Sequence, residues 1–324
     1  MKKDILKVEN LTVVYGVKDK AISAVRDVSF SVKKGEFFGI AGESGCGKST
    51  LAFSIIRLLP PNAKILSGKI VFNDKDLLKL SERDLREMRW KDFSIVFQSS
   101  MNSLNPVMKI KDQIYDTIIY HSDMSFQDLQ ERIKKLFSYV NISPKFLEAY
   151  PHQLSGGMKQ RVIIAMALAL NPKLVIMDEP TTALDVVIQR VILQEIDELR
   201  KKLGFSVIFI THDLSLLVEI SDTVAIMYAG KIVEKSPSKE LFINPLHPYT
   251  IGLMRSFPTL TGKRKRMRGI PGHPPDLSRK IVGCAFFDRC PRRIEGLCDV
   301  KDPPLIEISS QHFVACHLYS KRSL

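Results

Sequence analysis

The chain has 324 residues, 45% hydrophobic and 26% charged, the composition of a folded soluble protein with room for one large α/β domain and an appendage. No stretch approaches the ~20 uninterrupted apolar residues of a membrane span. The start Met1-Lys2-Lys3-Asp4-Ile5-Leu6 runs into Lys7 and Glu9 and lacks the apolar core of a secretion signal, so a cytoplasmic protein is expected.

Ile5–Tyr15 and Ile22–Val32 alternate in polarity and read as paired strands. Phe37–Ala41 is a short apolar run, a buried strand. Ser49–Leu59 reads as a helix that stops at Pro60-Pro61. Lys69–Phe72 and Ser94–Phe97 read as further strands. From about Ser99 to Gln153 the pattern changes. Ile110–Tyr120 and Phe126–Val140 carry helical apolar spacing and no strong strand intervenes, which predicts a helical insertion. Met158–Leu170 then reads as a helix, Leu174–Met177 as a buried strand and Val186–Leu203 as a long helix. Val207–Ile210 is a strand that ends at Thr211-His212-Asp213. Thr223–Tyr228 and Lys231–Glu234, joined by Ala229-Gly230, read as a hairpin.

The spacing Gly42-x4-Gly47-Lys48-Ser49 lies between a predicted strand and a predicted helix, as a phosphate-binding loop requires. Its glycines let backbone N–H groups curl around phosphate oxygens, and the following helix adds its positive end. Gly42, Ser44, Gly45, Cys46, Gly47, Lys48, Ser49 and Thr50 make up the expected nucleotide-binding stretch. Lys48 can neutralise the β- and γ-phosphates and the Ser49 hydroxyl can ligate Mg²⁺. Asp178 ends an apolar strand, which in a parallel sheet puts it beside the phosphate loop, where it can hold Mg²⁺ through water. Glu179 can accept the proton of an attacking water.

Leu154-Ser155-Gly156-Gly157-Met158 is a second glycine-rich helix start. A serine hydroxyl, free N–H groups and the helix dipole can bind an anion there; a plain capped helix is the other reading. With these elements on one chain, residues 5–256 resemble an ATP-binding cassette protein. The resemblance implies an ABC-type nucleotide-binding domain: a RecA-like α/β core, an antiparallel β subdomain and a helical subdomain at about 99–170. It implies that Ser155, Gly156 and Gly157 bind the γ-phosphate of ATP held by a partner cassette. It assigns Tyr15 to adenine stacking, though a lone Tyr ending a strand is more often packing. It assigns Gln98 to sensing Mg²⁺ and the membrane partner, Ala183-Leu184-Asp185 to the dimer interface and His212 to the γ-phosphate. Lys48, Gln98, Glu179 and His212 are thus the expected catalytic set, and Ser49, Gln98 and Asp178 the expected Mg²⁺ site. Met158 and Lys159 depart mildly from the usual signature.

After Pro245 the composition shifts, with Pro245, Pro248, Pro258, Pro271, Pro274 and Pro275 breaking the chain and Lys263-Arg264-Lys265-Arg266 forming a basic run. We place the boundary near Phe257, giving a cassette at 1–256 and an extension at 257–324. The net charge of +13 is concentrated here: from Arg255 to Arg293 eleven Lys and Arg stand against two Asp and Glu, a net of +9. Such a patch can meet nucleic acid, acidic lipid or an acidic partner, or be a solvated face. Four of the five cysteines, Cys284, Cys290, Cys298 and Cys316, fall in the last 41 residues. Clustering of this kind in a cytosolic chain argues for metal over disulfides. No close zinc-type pair exists, so the spacing leans towards a [4Fe–4S] cluster, with Arg289, Arg292 and Arg293 offsetting its charge; zinc and incidental thiols are the alternatives. The fold expected is therefore a cassette with a small metal-stapled extension.

His247-Pro248-Tyr249-Thr250, Arg268-Gly269-Ile270-Pro271-Gly272 and the cysteine pattern resemble the tails of ATP-binding subunits of oligopeptide, dipeptide and nickel importers. The resemblance implies ATP hydrolysis coupled to peptide import at the cytoplasmic face of the cell membrane, where the chain sits peripherally. The implied partners are a second cassette, two transmembrane permease subunits and, indirectly, an extracytoplasmic substrate-binding protein, with no nucleic acid. A soluble cassette ATPase acting on nucleic acid or ribosomes is the competing function. It fits the basic tail, but the chain has one cassette and no long coiled coil.

Overall fold

A computed structural model of the chain describes residues 3–16, 21–98, 100–182, 184–256 and 269–320. The expected boundary at Phe257, the basic run Lys263–Arg266 and Ala183 lie outside them. In chain order the strands are β1 (Asp4–Tyr15), β2 (Ile22–Lys33), β3 (Phe37–Ala41), β4 (Ala63–Phe72), β5 (Lys75–Asp76), β6 (Phe93–Val96), β7 (Leu174–Asp178), β8 (Ser206–Thr211), β9 (Thr223–Tyr228), β10 (Lys231–Pro237), β11 (Ile306–Ser309) and β12 (His312–Val314). The helices are α1 (Lys48–Ile55), α2 (Glu82–Met88), α3 (Ile110–Ile119), α4 (Phe126–Tyr139), α5 (Gly156–Ala167), α6 (Val186–Leu203), α7 (Leu214–Ile220), α8 (Ser238–Ile243) and α9 (Pro248–Arg255). Two units share the chain. The first comprises Met1–Ile5, Val32–Phe37 and Lys79–Phe209, the second Leu6–Ser31, Phe38–Leu78 and Ile210–Leu324.

In the first unit the strand order is β8-β7-β6. β6 and β7 are parallel, with Phe93 opposite Leu174 and Val96 opposite Met177. Every residue of β7 is buried, which explains its unbroken apolar run. The helices follow from their spacing. In α4 the Ser125 hydroxyl caps the first turn by accepting from the Asp128 N–H, and Leu129, Ile133, Leu136 and Phe137 face the core. Burying each of these side chains contributes about 1.5–3 kcal/mol. α6 is capped by Asp185, buries Ile192, Leu193, Ile196 and Leu199, and stops at Gly204 with φ 76 after three basic residues, a charge bias that suits a helix C-terminus. Arg132 on α4 donates to the carbonyls of Leu168 and Ala169 and to Asn171. It thereby satisfies the otherwise orphaned end of α5.

In the second unit β1 and β4 pair antiparallel in a sheet of order β2-β1-β4-β5. The other strands follow the order β11-β12-β10-β9-β3. β3 is wholly buried and lies parallel to β9, Phe38 opposite Thr223 and Ala41 opposite Ile226. β9 and β10 form the expected hairpin. Its turn residues Ala229 and Gly230 have φ 46 and 83, the two positive values of a type I′ turn.

The extension departs from its sequence reading by adding strands. β12 pairs with β10 and β11 with β12. The expected metal staple gains no support: among the described residues no group of three or more His, Cys, Asp or Glu is placed to hold a metal ion. Polar contacts hold this region to its unit. Glu234, fully buried, accepts from the N–H groups of Leu246 and His247 at 2.7 and 2.9 Å and meets the His312 ring at 2.8 Å. Lys231 pairs with Asp302. No helix among the described residues is long and apolar enough to cross a membrane.

Candidate functional site

In the second unit, β3 delivers the chain into the loop Gly42–Gly47, and α1 begins at Lys48. Two glycines are required by close approach. A Cβ on Gly42 would stand 2.1 Å from the Met227 carbonyl oxygen, and one on Gly47, at φ 103, 2.1 Å from that of Ala24. No other residue fits there. The buried Lys48 donates through Nζ to the carbonyls of Gly42 and Glu43 at 2.8 and 2.9 Å, so its charge lies against the loop. Cys46 is buried, and its carbonyl accepts from the Gly230 N–H at 2.9 Å, tying the loop to the β9–β10 turn. Burial raises its thiol pKa, against the pull of Lys48. The Tyr15 and Thr50 hydroxyls meet at 3.2 Å, which brings the end of β1 to α1. Ser49 is half-buried and Ser44 and Gly45 are exposed. α1 has no acid in its first turn. Loop amides, a helix N-terminus and a lysine together form a cradle for phosphate. His212 is exposed just after β8 in this same unit.

The remaining expected residues belong to the first unit. Asp178 is the buried last residue of β7. Glu179 follows at φ 44. The Gln98 amide donates to its carboxylate at 3.3 Å, and the Thr182 hydroxyl donates to its backbone carbonyl at 2.8 Å. The structure therefore brings Gln98 and Glu179 together. Ser155 is exposed and caps α5, its hydroxyl accepting from the Met158 N–H at 3.3 Å. A Cβ on Gly156 would touch Leu184 at 3.4 Å, and one on Gly157 would touch Ile188 at 3.3 Å. The signature helix thus packs on the segment around Asp185. Asp185 is exposed and caps α6 by accepting from the Ile188 N–H at 3.0 Å. The Gln189 amide clamps the carbonyls of Thr181 and Leu184 at 2.6 and 3.1 Å.

Sequence reasoning gave Glu43 no role, took Tyr249 only as part of a tail motif and read Arg289 as charge compensation for a metal cluster. The Glu43 carboxylate receives a two-pronged ion pair from Arg289 at 2.7 and 2.9 Å. Its N–H donates to the Tyr249 hydroxyl oxygen at 2.9 Å. The signal was an acid inside an anion-binding loop, which calls for a cation; nothing in the sequence said which one. The four tail cysteines are free thiols. Burial pushes the Cys284 thiol up to about 12, with Cys298, Cys316 and Cys290 adding to the shift, and Cys316 to about 11.

Residues 25–182 match the family model of the ABC transporter, and residues 233–298 that of the oligopeptide/dipeptide transporter C-terminal region. The chain is 44% identical over 322 residues to the dipeptide transport ATP-binding protein DppD of Bacillus subtilis (strain 168), covering 98% of this chain and 96% of that one. It is 41% identical to the oligopeptide transport ATP-binding protein OppD of Escherichia coli (strain K12), covering 96% and 92%. Among solved structures, the dimeric post-hydrolysis state of the ATP-binding cassette MJ0796, bound to ADP and Pi, superposes with a TM-score of 0.64 at 29% identity. That match covers 72% of this chain and 99% of the other.

Proposed function

Since the chain belongs to the ABC transporters, and among them to the ATP-binding subunits of oligopeptide and dipeptide importers, we propose that it hydrolyses Mg–ATP as one of a pair of cassettes and thereby drives peptide import through a membrane permease. It acts peripherally at the cytoplasmic face. In this reading the amides of the Gly42–Gly47 loop and Lys48 hold the phosphates, with Ser44, Gly45 and Cys46 contributing backbone and Thr50 fixing Tyr15 against the base. Ser49, Asp178 and Gln98 order the Mg²⁺. Glu179 takes the proton of the attacking water, while Gln98 and His212 orient the water and the γ-phosphate. Ser155, Gly156 and Gly157 complete the γ-phosphate site of the opposite cassette, next to Asp185. The exposure of Ser155 at a helix start supports that role.

The observation that carries the proposal is the match of cassette and C-terminal region to one kind of protein along nearly the whole chain. Family membership also weighs against action on nucleic acid, which rested on the basic tail. Detergent extraction of membranes from cells carrying a tagged chain tests the two readings. Permease subunits should co-purify, and labelled peptide uptake by vesicles of that complex should require Mg–ATP. Retention on nucleic acid with no permease would overturn the importer reading.

The finer part concerns the tail. Four soft thiol donors within the last 41 residues, with Arg292 and Arg293 among them in the chain, are the support for a [4Fe–4S] cluster on Cys284, Cys290, Cys298 and Cys316. Such a cluster spreads its thiolates wider than a single ion does and would cross-link the extension. A brown anaerobic preparation with about four irons per chain is expected from that ligand set. About one zinc per chain would replace the cluster with a structural zinc.

A further inference from the structure

The phosphate loop carries an acid where it should attract anions. Glu43 follows Gly42 directly, and a carboxylate there opposes a triphosphate through Coulomb repulsion. Arg289, 246 positions away in the extension, answers it. Its guanidinium meets both carboxylate oxygens, Nη1 to Oε2 at 2.7 Å and Nη2 to Oε1 at 2.9 Å, and its side chain is only 5% exposed. The guanidinium is itself fixed. Nε donates to the Pro271 carbonyl at 2.9 Å and Nη1 to the Tyr228 hydroxyl at 3.3 Å. It lies 5.7 Å from the Tyr228 ring centroid and 5.9 Å from that of Phe286. Tyr249 packs against both rings, at 4.5 and 5.5 Å, and takes the Glu43 N–H through its hydroxyl. The Glu43 carbonyl accepts from Lys48. Every polar group of Glu43 is therefore in use, two of them by residues beyond β10.

We propose that Arg289 is a positioning residue for the nucleotide: the C-terminal extension sets the affinity of the phosphate loop for Mg–ATP by neutralising Glu43 and holding it in one place. The inference rests on the reading that the Gly42–Thr50 loop binds ATP. A mere staple and a neutralising partner differ in what happens when both charges go. Removing one member of a desolvated pair leaves the other uncompensated, whereas removing both does not.

The test measures Mg–ATP binding by calorimetry, and KM and kcat for hydrolysis, on the full-length protein and its Arg289→Gln, Arg289→Lys, Glu43→Gln and Glu43→Gln/Arg289→Gln variants. Arg289→Gln should raise Kd and KM about 10-fold or more, the scale of an exposed partner charge, with kcat changed far less. Arg289→Lys should fall between it and wild type, because lysine restores the charge without the fork. The double variant should bind within about 3-fold of wild type, the charge conflict having been removed. Wild-type affinity in Arg289→Gln would overturn the proposal. So would a double variant as weak as Arg289→Gln, because the residue would then act only as a staple. If Arg289→Gln does not fold, the double variant against Glu43→Gln decides: equal tight binding supports neutralisation, and weak binding by the double variant alone overturns it. Lys48→Ala is the control on the underlying reading. Full affinity there would remove ATP from this loop, a failure distinct from failure of the Arg289 proposal.

Discussion

Glu179 leaves β7 with a left-handed backbone, φ 44, a conformation that costs a non-glycine residue about 1–3 kcal/mol and that concentrates at functional sites. The Gln98 amide and the Thr182 hydroxyl both reach it. We expect Glu179→Gln to keep Mg–ATP affinity and to lose turnover by about 10²–10⁴-fold, the contribution of a positioned general base. Nucleotide binding and phosphate release, measured side by side, check this; normal turnover would remove Glu179 from the role. Residues of this kind were readable because their chemistry sits in short, ordered spacings: glycines, lysine and serine within one loop, an acid at the end of an apolar run. The Glu43–Arg289 pair was not. Its halves are separated by most of the chain, and the arginine sat in a basic stretch that had a competing explanation as the surround of a metal cluster.

The elements were legible in proportion to their length and pattern. β3 and β7 show as unbroken apolar runs because both are buried throughout, and α4 and α6 show as helical stripes because one face is buried. β4 begins at Ala63 rather than Lys69 because its first residues are largely exposed and carry no apolar alternation. α1 ends at Ile55, before the prolines that were expected to stop it; Arg57 has already turned left-handed at φ 54. α2, α7 and α8 are too short for a periodic signal, and β11 and β12 are strands only because β10 offers an edge to pair with. α9 depends on a buried histidine. His247 caps it, Nδ1 accepting from the Tyr249 N–H at 3.0 Å, and a backbone hydrogen bond to Ala315 engages the ring from the extension. Burial pushes its pKa down to about 4, against an opposing pull from Glu234. The folded value lies below the unfolded ~6.5. The stability that neutral His247 contributes is therefore complete above about pH 6.5 and is lost as pH falls towards 4, amounting to about 3 kcal/mol in all. Thermal melts of wild type and His247→Asn between pH 7 and 4 check this. Asparagine can cap without titrating, so the gap between the two should narrow as the pH drops. A constant gap would mean that His247 does not carry the acid sensitivity.

On the scale of the molecule, the expected site residues divide between the two units: Lys48 and His212 lie in the second, and Gln98, Asp178, Glu179 and Ser155 in the first. The expected set was legible before any fold was known, because each motif has its own spacing. The sequence did not show that the extension ends as added strands on the β9–β10 side of its unit, since seven strand residues in two pieces have no pattern of their own. The two glycine-rich helix starts differ in a way that bears on assembly. The first is lined by Lys48 and closed by β9, whereas Ser155 and Gly156 stand exposed at the start of α5. A helix start open to solvent is suited to a phosphate delivered by another copy or a sister cassette. We therefore expect Ser155→Arg to leave Mg–ATP affinity of the isolated monomer nearly unchanged, because the signature does not serve the ATP of its own loop. Dimerisation driven by ATP in a Glu179→Gln background should fail, because the bulky cation fills the place of the opposite γ-phosphate. Calorimetry on the monomer and light scattering with and without Mg–ATP measure the two effects separately. A large loss of monomer affinity would place Ser155 in the pocket of its own chain and contradict the shared site. An intact dimer would show that the second glycine-rich start is a helix cap and nothing more.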